Sequence, residues 1–263
     1  MTQFEIAIFE TDELHEHCKS EFGRYSAYEA AKRARDFVEG AFDRSSQHSV
    51  DVSVSYSTPD APIENPGCMK DDYFHAYHPC DDCECHYPSQ YPNLHTWFQD
   101  WLEGSCGPYT VARDVNILLT DQNGGGCGAG GRTPPVATAG GAFTIAKEFD
   151  DYQTHSTDDV MWDIDTLLEE IGHTLIMNDN GPDMIDDDDD GKDHDSGTIY
   201  ERTTRYGTHY YTMTPMGITG NTSYNNCGWW VDKSRWDPGS ETAPEDGFEG
   251  RYSGCTEDYF GTQ

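Results

Sequence analysis

Residues 158–177 read Asp-Asp-Val-Met-Trp-Asp-Ile-Asp-Thr-Leu-Leu-Glu-Glu-Ile-Gly-His-Thr-Leu-Ile-Met. Val160, Met161, Ile164, Leu167, Leu168, Ile171 and Leu175 recur at three- and four-residue spacing, which makes them one apolar stripe of a long helix. Ser156, with Asp159 three residues on, offers a capping start. Such a stripe has to be buried against a sheet or another helix, and the upstream sequence supplies both. Phe4-Glu5-Ile6-Ala7-Ile8-Phe9 reads as a strand. Residues 26–42 read as a second helix, with Ala27, Ala30, Ala31, Ala34, Phe37, Val38 and Ala41 on one face. Val50, Val52, Val54 and Tyr56 alternate with Asp51, Ser53 and Ser55, a half-buried strand.

Val115-Asn116-Ile117-Leu118-Leu119 is apolar on both faces and reads as a central strand. Residues 94–103, carrying Trp97, Phe98 and Trp101, read as a short helix. Residues 136–146 read as a strand or strand pair broken by Gly140-Gly141. Residues 58–92 look loop-like, and the glycine-rich run 124–131 reads as a flexible loop that lacks the Gly-Lys-Ser/Thr ending of a phosphate loop. The expected fold class is therefore α/β (α+β): a twisted mixed sheet with two main helices in a single domain, 1–263. Within it, residues 1–180 hold the sheet and the long helix, and 181–263 form an irregular C-terminal lobe.

The composition narrows the function classes. The 263 residues carry 16 Lys plus Arg against 49 Asp plus Glu, a formal charge of −33. That excludes binding to a nucleic-acid backbone, which needs clustered Lys and Arg on phosphates. No apolar run approaches the roughly 18 residues of a membrane span. Sixteen Tyr, 11 Phe and 6 Trp are too many aromatics for a disordered acidic polymer. There are 6 Lys against 31 Asp, a bias that fits a folded domain working in concentrated salt, where self-repulsion is screened within about 3 Å at 1 M.

Nine cysteines, at 18, 68, 80, 83, 85, 106, 127, 227 and 255, lie mostly in loop-like sequence. That usage points to disulfides and an oxidising, extracellular or cell-surface location. An odd count leaves at least one thiol free or paired outside the chain. No signal peptide is recognisable, since residues 3–9 already read as a strand. Cys80-Asp-Asp-Cys83-Glu-Cys85-His86 offers knuckle-like zinc ligands but no second Cys-x-x-Cys pair, so disulfides are the preferred reading. His75, His78 and His95 read as solvated or packing histidines. There is no Gly-x-Ser-x-Gly elbow for serine hydrolysis.

The long helix ends in Glu169-Glu170-Ile171-Gly172-His173-Thr174-Leu175-Ile176-Met177-Asn178-Asp179. Donors at positions i and i+4 sit one turn apart on one helix face, so both can reach one tetrahedral ion, and the acid beside the first can hold a water there. Glu170 stands where that base stands and His173 where the second ligand stands.

With Asp179 at the third-ligand offset, this run resembles the metzincin zinc proteases, which carry His-Glu-x-x-His-x-x-Gly-x-x-His/Asp and a later methionine turn. Tyr211-Thr212-Met213-Thr214-Pro215-Met216-Gly217 is similar to that turn, with Met216 the matching methionine. The chain departs from the pattern at Glu169, which replaces the first His, and at Ile176, which replaces the Gly that turns the chain off the helix. The acidic composition looks like that of a haloarchaeal-type secreted form. Together with the strand and helix periodicity, the resemblance implies that both long helices lie on one side of the sheet. It also implies a zinc-dependent endopeptidase, with zinc on His173, Asp179 and either Glu169 or a histidine from elsewhere. Glu170 would be the general base, Met216 the structural floor, and the strand near 136–146 the partner of an extended peptide or protein substrate. It implies equally, through Glu169, an alternative: a binding or surface protein of the same fold that lost its metal.

A second constellation is Asp186-x-Asp188-x-Asp190-Gly191, which matches the opening of a calcium loop, although Gly197 stands where the closing Glu belongs. An aspartate run is also what this composition produces by itself.

With a charge of −33, the fold is expected to loosen below about 0.5 M salt, where screening weakens. Circular dichroism melts from low to molar salt check this, and a melting temperature indifferent to salt contradicts it.

Overall fold

The computed structural model describes residues 2–24, 28–44, 47–67, 74–77, 88–104, 111–122, 125–129, 133–148, 155–156, 160–176, 199–203, 209–216 and 247–261. The first half runs β1 (Gln3–Glu10), α1 (Asp12–Phe22), α2 (Glu29–Arg44), β2 (Ser49–Val54), β3 (Phe74–Tyr77), β4 (Pro88–Tyr91) and α3 (Leu94–Glu103). It continues with β5 (Val115–Leu119), β6 (Gly126–Ala129), β7 (Val136–Ala139), α4 (Ala142–Glu148), β8 (His155–Ser156) and α5 (Val160–Leu175). The last elements are β9 (Ile199–Thr203), β10 (His209–Met213), β11 (Gly247–Glu249) and α6 (Gly254–Tyr259).

The main sheet has the order β2-β1-β5-β7-β6. Four strands are parallel, and β6 is antiparallel to β7 at one edge. Alternation along each strand divides the core between two faces. Phe4, Ile6 and Ile8 of β1, Val115, Ile117 and Leu119 of β5, and Ala137 and Ala139 of β7 share one cluster with α1, α2, α4 and α5. Ala7, Phe9, Leu118 and Val136 turn the other way and pack on α3 through Leu94, Trp97, Phe98, Trp101 and Leu102. The two long helices therefore lie on one face of a mixed, mostly parallel sheet, as expected.

Several local expectations are corrected. The glycine run expected to be a flexible loop contains β6, the antiparallel edge strand. The span 136–146 is neither one strand nor a pair: β7 ends at Ala139, Gly141 takes φ +70, and α4 begins at Ala142. Ser156 is not a helix cap, because it pairs in β8 with Phe248. The supposed loop 58–92 holds the β3–β4 hairpin. The C-terminal lobe is not irregular throughout, since β8, β11, β10 and β9 form a four-stranded sheet. Helix α1 has no counterpart in the periodicity, for its buried residues are only Leu14, His15 and Cys18. Its signal lies in its ends: Thr11 Oγ1 accepts from Leu14 N at 3.3 Å, and Gly23 follows the last turn.

The start of α2 is anchored from outside the helix. Tyr28 takes φ +63, and the buried Glu10 carboxylate accepts from Ala31 N at 2.8 Å while facing His15 Nδ1 at 3.2 Å. Burial pushes the Glu10 pKa up against these two partners. Among the described residues no helix is long and apolar enough to cross a membrane.

The C-terminal segment returns to the main core. Phe260 meets Phe4 edge-on at 6.0 Å and Tyr252 at 4.9 Å between ring centres. Arg44 Nε donates to Gly250 O at 3.0 Å, and Gln47 Nε2 donates to Gly254 O at 2.9 Å. Glu257 is buried there, with the backbone N–H groups of Gln47 and His48 near enough to favour its charged form. Burial outweighs them and, with Asp258 nearby, pushes its pKa to about 7. The folded state thus keeps a proton that the unfolded carboxylate, near its ordinary 4.5, releases. This group's contribution to stability is greatest below that value and falls as pH rises toward about 7. Thermal melts at fixed high salt are expected to show Glu257→Gln flattening the decline over that window, with the largest gain over the parent above it.

Candidate functional site

The last two turns of α5 carry Glu169, Glu170 and His173. Glu169 and His173 are four residues apart and share a side of the helix. Their Oε1 and Nε2 atoms stand 3.8 Å apart, with 26% and 15% of each side chain exposed. Two donors bound to one tetrahedral zinc at about 2.0–2.2 Å stand about 3.4 Å from each other, so this pair is close to chelating separation and accessible from solvent.

Glu170 is rotated away from that pair and is buried, at 7% exposure. Its side chain lies against β6. A β-carbon added at Gly126 would collide with Glu170 Cγ and fall 2.6 Å from Oε1. One added at Gly128 would collide with the Glu170 carbonyl and fall 3.0 Å from both Oε2 and His173 Cβ. Thr174, one turn on, donates through Oγ1 to Glu170 O at 2.9 Å, which ties that turn together on the sheet side.

Met216 approaches the helix at Gly172. A β-carbon there would stand 2.6 Å from Met216 Sδ and 3.0 Å from Cγ. Thr214 and Met216 are buried, and Met216 takes φ +68, a conformation costly to a side-chain-bearing residue and held only by surrounding packing. Tyr252 completes this side: its hydroxyl donates to Leu168 O, and its ring edge lies 3.5 Å from the same point at Gly172. Burial, with Asp165 and Glu257 nearby, holds the Tyr252 pKa well above the ordinary value, so the hydroxyl stays a donor.

Helix α5 ends at Leu175, and Ile176 after it does not take a left-handed conformation. Among described residues the non-glycines with positive φ are Tyr28 and Met216, so Ile176 keeps an ordinary conformation. It is buried, its N–H continues the helical bond to Gly172 O, and Gly261 N donates to Leu175 O. The missing glycine is thus replaced by a carbonyl cap from the C-terminal segment.

Of the remaining predicted residues, Asp179, Asp186, Asp188 and Asp190 lie outside the described residues, as do Cys80, Cys83, Cys85 and His78. Among described residues no group of three or more His, Cys, Asp or Glu side chains is gathered for a metal ion. His75 is exposed, whereas His95 is a packing residue, buried with Nε2 at 2.9 Å from Val136 O. Cys127 of β6 is disulfide-bonded. Among the described residues Cys18 is a free thiol; it is buried, and desolvation with the nearby Glu10 charge pushes its pKa up to about 12, so it is inert as a nucleophile.

Sequence reasoning missed Gly126, Gly128 and Tyr252. The alternate glycines flanking a strand residue were the available signal, since glycine in a strand often marks close backbone approach. No protein-family profile matches the chain, and no curated protein matches it in sequence.

Gly172→Ala is expected to cost about 1–3 kcal/mol, the usual range for overpacking, because the added carbon meets Met216. Denaturant melts check this, and Gly172→Ala combined with Met216→Ala is expected to recover part of the loss.

Proposed function

We propose that this chain is a zinc-dependent endopeptidase of the metzincin type. The observation that carries the reading is the arrangement on α5: Glu169 and His173 at 3.8 Å on an accessible side, with Glu170 turned against the edge strand beside them. Met216 packed under Gly172 and a parallel sheet closed by one antiparallel edge strand are consistent with it. Glu169 and His173 would hold zinc, with Asp179 as the third donor. A carboxylate suits zinc at about 2.0–2.2 Å, as an imidazole does. When bound, the ion would polarise a scissile carbonyl and lower the pKa of a water.

The chain's own residues do the rest. Glu170 takes a proton from the attacking water and passes it to the leaving nitrogen. Its fixed seat against β6 keeps the carboxylate from the rotamer search that an exposed glutamate undergoes. An extended peptide would be bound along the sheet edge. That edge is not residues 136–146 as expected, since β7 is hydrogen-bonded on both sides by β5 and β6. The outer side of β6 takes its place. Calcium on Asp186, Asp188 and Asp190 remains part of the proposal. The disulfide at Cys127 supports an extracellular or cell-surface location.

The same 3.8 Å approach favours one other reading, in which Glu169 and His173 form an ion pair and the chain binds peptides without cutting them. Zinc content and cleavage of an unfolded peptide, both at high salt, separate the two. The expected outcome is one zinc per chain, with Glu170→Ala reducing cleavage about 10²–10⁴-fold and Glu169→His raising it above the parent, because a neutral ligand leaves the ion more able to acidify water. Parent cleavage equal to the Glu170→Ala background leaves the binding reading.

A further inference from the structure

The two glycines of β6 meet α5 in different ways, and the difference has a consequence for Glu170. They are two residues apart, so both face the helix. A β-carbon at Gly128 would run into the Glu170 carbonyl, a backbone atom. Gly128 therefore sets how near the helix comes to the strand. A β-carbon at Gly126 would meet no helix backbone; it would meet the outer part of the Glu170 side chain, Cγ and Oε1, together with the Thr138 carbonyl across the ladder at 2.6 Å. The carboxylate consequently lies along the strand, with Oε1 over Gly126 and Oε2 toward Gly128. His173 Cβ closes the Gly128 end at 3.0 Å from the same added carbon.

We propose that Gly126 is a positioning residue for Glu170: the bare strand surface at this point is the seat in which the carboxylate is held against β6, on the helical turn that also carries Glu169 and His173. This rests on the endopeptidase reading for its catalytic consequence, but not for its structural one. Any side chain at 126 would lift the carboxylate off the strand while leaving Glu169 and His173, on the accessible side of α5, in place. The base would then be displaced relative to the metal donors without loss of those donors.

A double-mutant cycle tests the seat in metal-free protein at high salt. Gly126→Ala is expected to lower the denaturation midpoint in both backgrounds, because the Thr138 carbonyl remains in each, and to lower it by measurably less in a Glu170→Ala background, where Cγ and Oε1 are gone. Gly128→Ala, which meets backbone, is expected to cost nearly the same in both backgrounds. If Gly126→Ala does not fold alone, recovery of folding by Glu170→Ala is the same positive result. Additive costs at 126, or failure of the double variant to fold, would overturn the proposal. The kinetic arm reads turnover: Gly126→Ala is expected to reduce kcat at least 10-fold with KM and bound zinc unchanged, and a matching rise in KM or loss of zinc would count against positioning. A parent without peptidase activity sinks the endopeptidase reading while the metal-free cycle still decides the seat.

Discussion

The arrangement depends on how closely helix α5 can approach strand β6. Most helices packed on a sheet are held off by a layer of side chains, and axis and sheet stand about 10 Å apart (the spacing of packed layers in general). Here Gly126 and Gly128 remove that layer on the strand side, and the Glu170 carbonyl and carboxylate fill the space. On another side of the same helix, Gly172 removes it again and Met216 enters. The last turns of α5 are thus gripped at two places where only glycine leaves room, and Glu169 and His173 are presented from a segment that has little freedom to shift.

That grip draws on distant parts of the chain. Tyr252 and Gly261 come from the C-terminal segment, yet they bond Leu168 O and Leu175 O of α5. The segment is held in turn by Phe4, Phe42 and His48 around Phe260, so the first strand, the second helix and the last helix all brace the candidate site. Such long-range dependence is costly in chain entropy, and the burial of large aromatic rings is the term that offsets it. The strained Met216 conformation persists because this packing leaves the residue no alternative.

Polar groups buried in the process show where packing was favoured over solvation. Glu10, Glu64 and Glu257 all have raised pKa values from desolvation, Glu64 and Glu257 to about 7. Two of them keep hydrogen-bond donors: Ala31 N for Glu10, and Thr11 and Asp121 N for Glu64. In a chain of charge −33, every buried carboxylate also feels the anionic shell, which raises the value of screening by salt.

Side-chain periodicity by itself determined the long helices, the β1, β2 and β5 strands and which face of each had to be buried. These are local patterns of apolar spacing; that α2 and α5 lie on the same face of the sheet is a fact of the folded molecule. The four-residue spacing of Glu169 and His173 likewise put those two side chains on one side of the helix, because helix geometry is fixed. What periodicity could not determine was anything decided by absence of a side chain or by distant partners. Glycines 124–131 carry no apolar pattern, so an edge strand read as a loop; its role became visible only once α5 lay against it. Helix α1 buries too few apolar residues to register. The cap on Leu175, supplied by Gly261, joins positions far apart in the chain, and the free edge of the sheet moved from β7 to β6 because strand order is a property of the folded molecule. Local sequence specifies which surfaces must be buried, and only the tertiary structure decides which surface buries which.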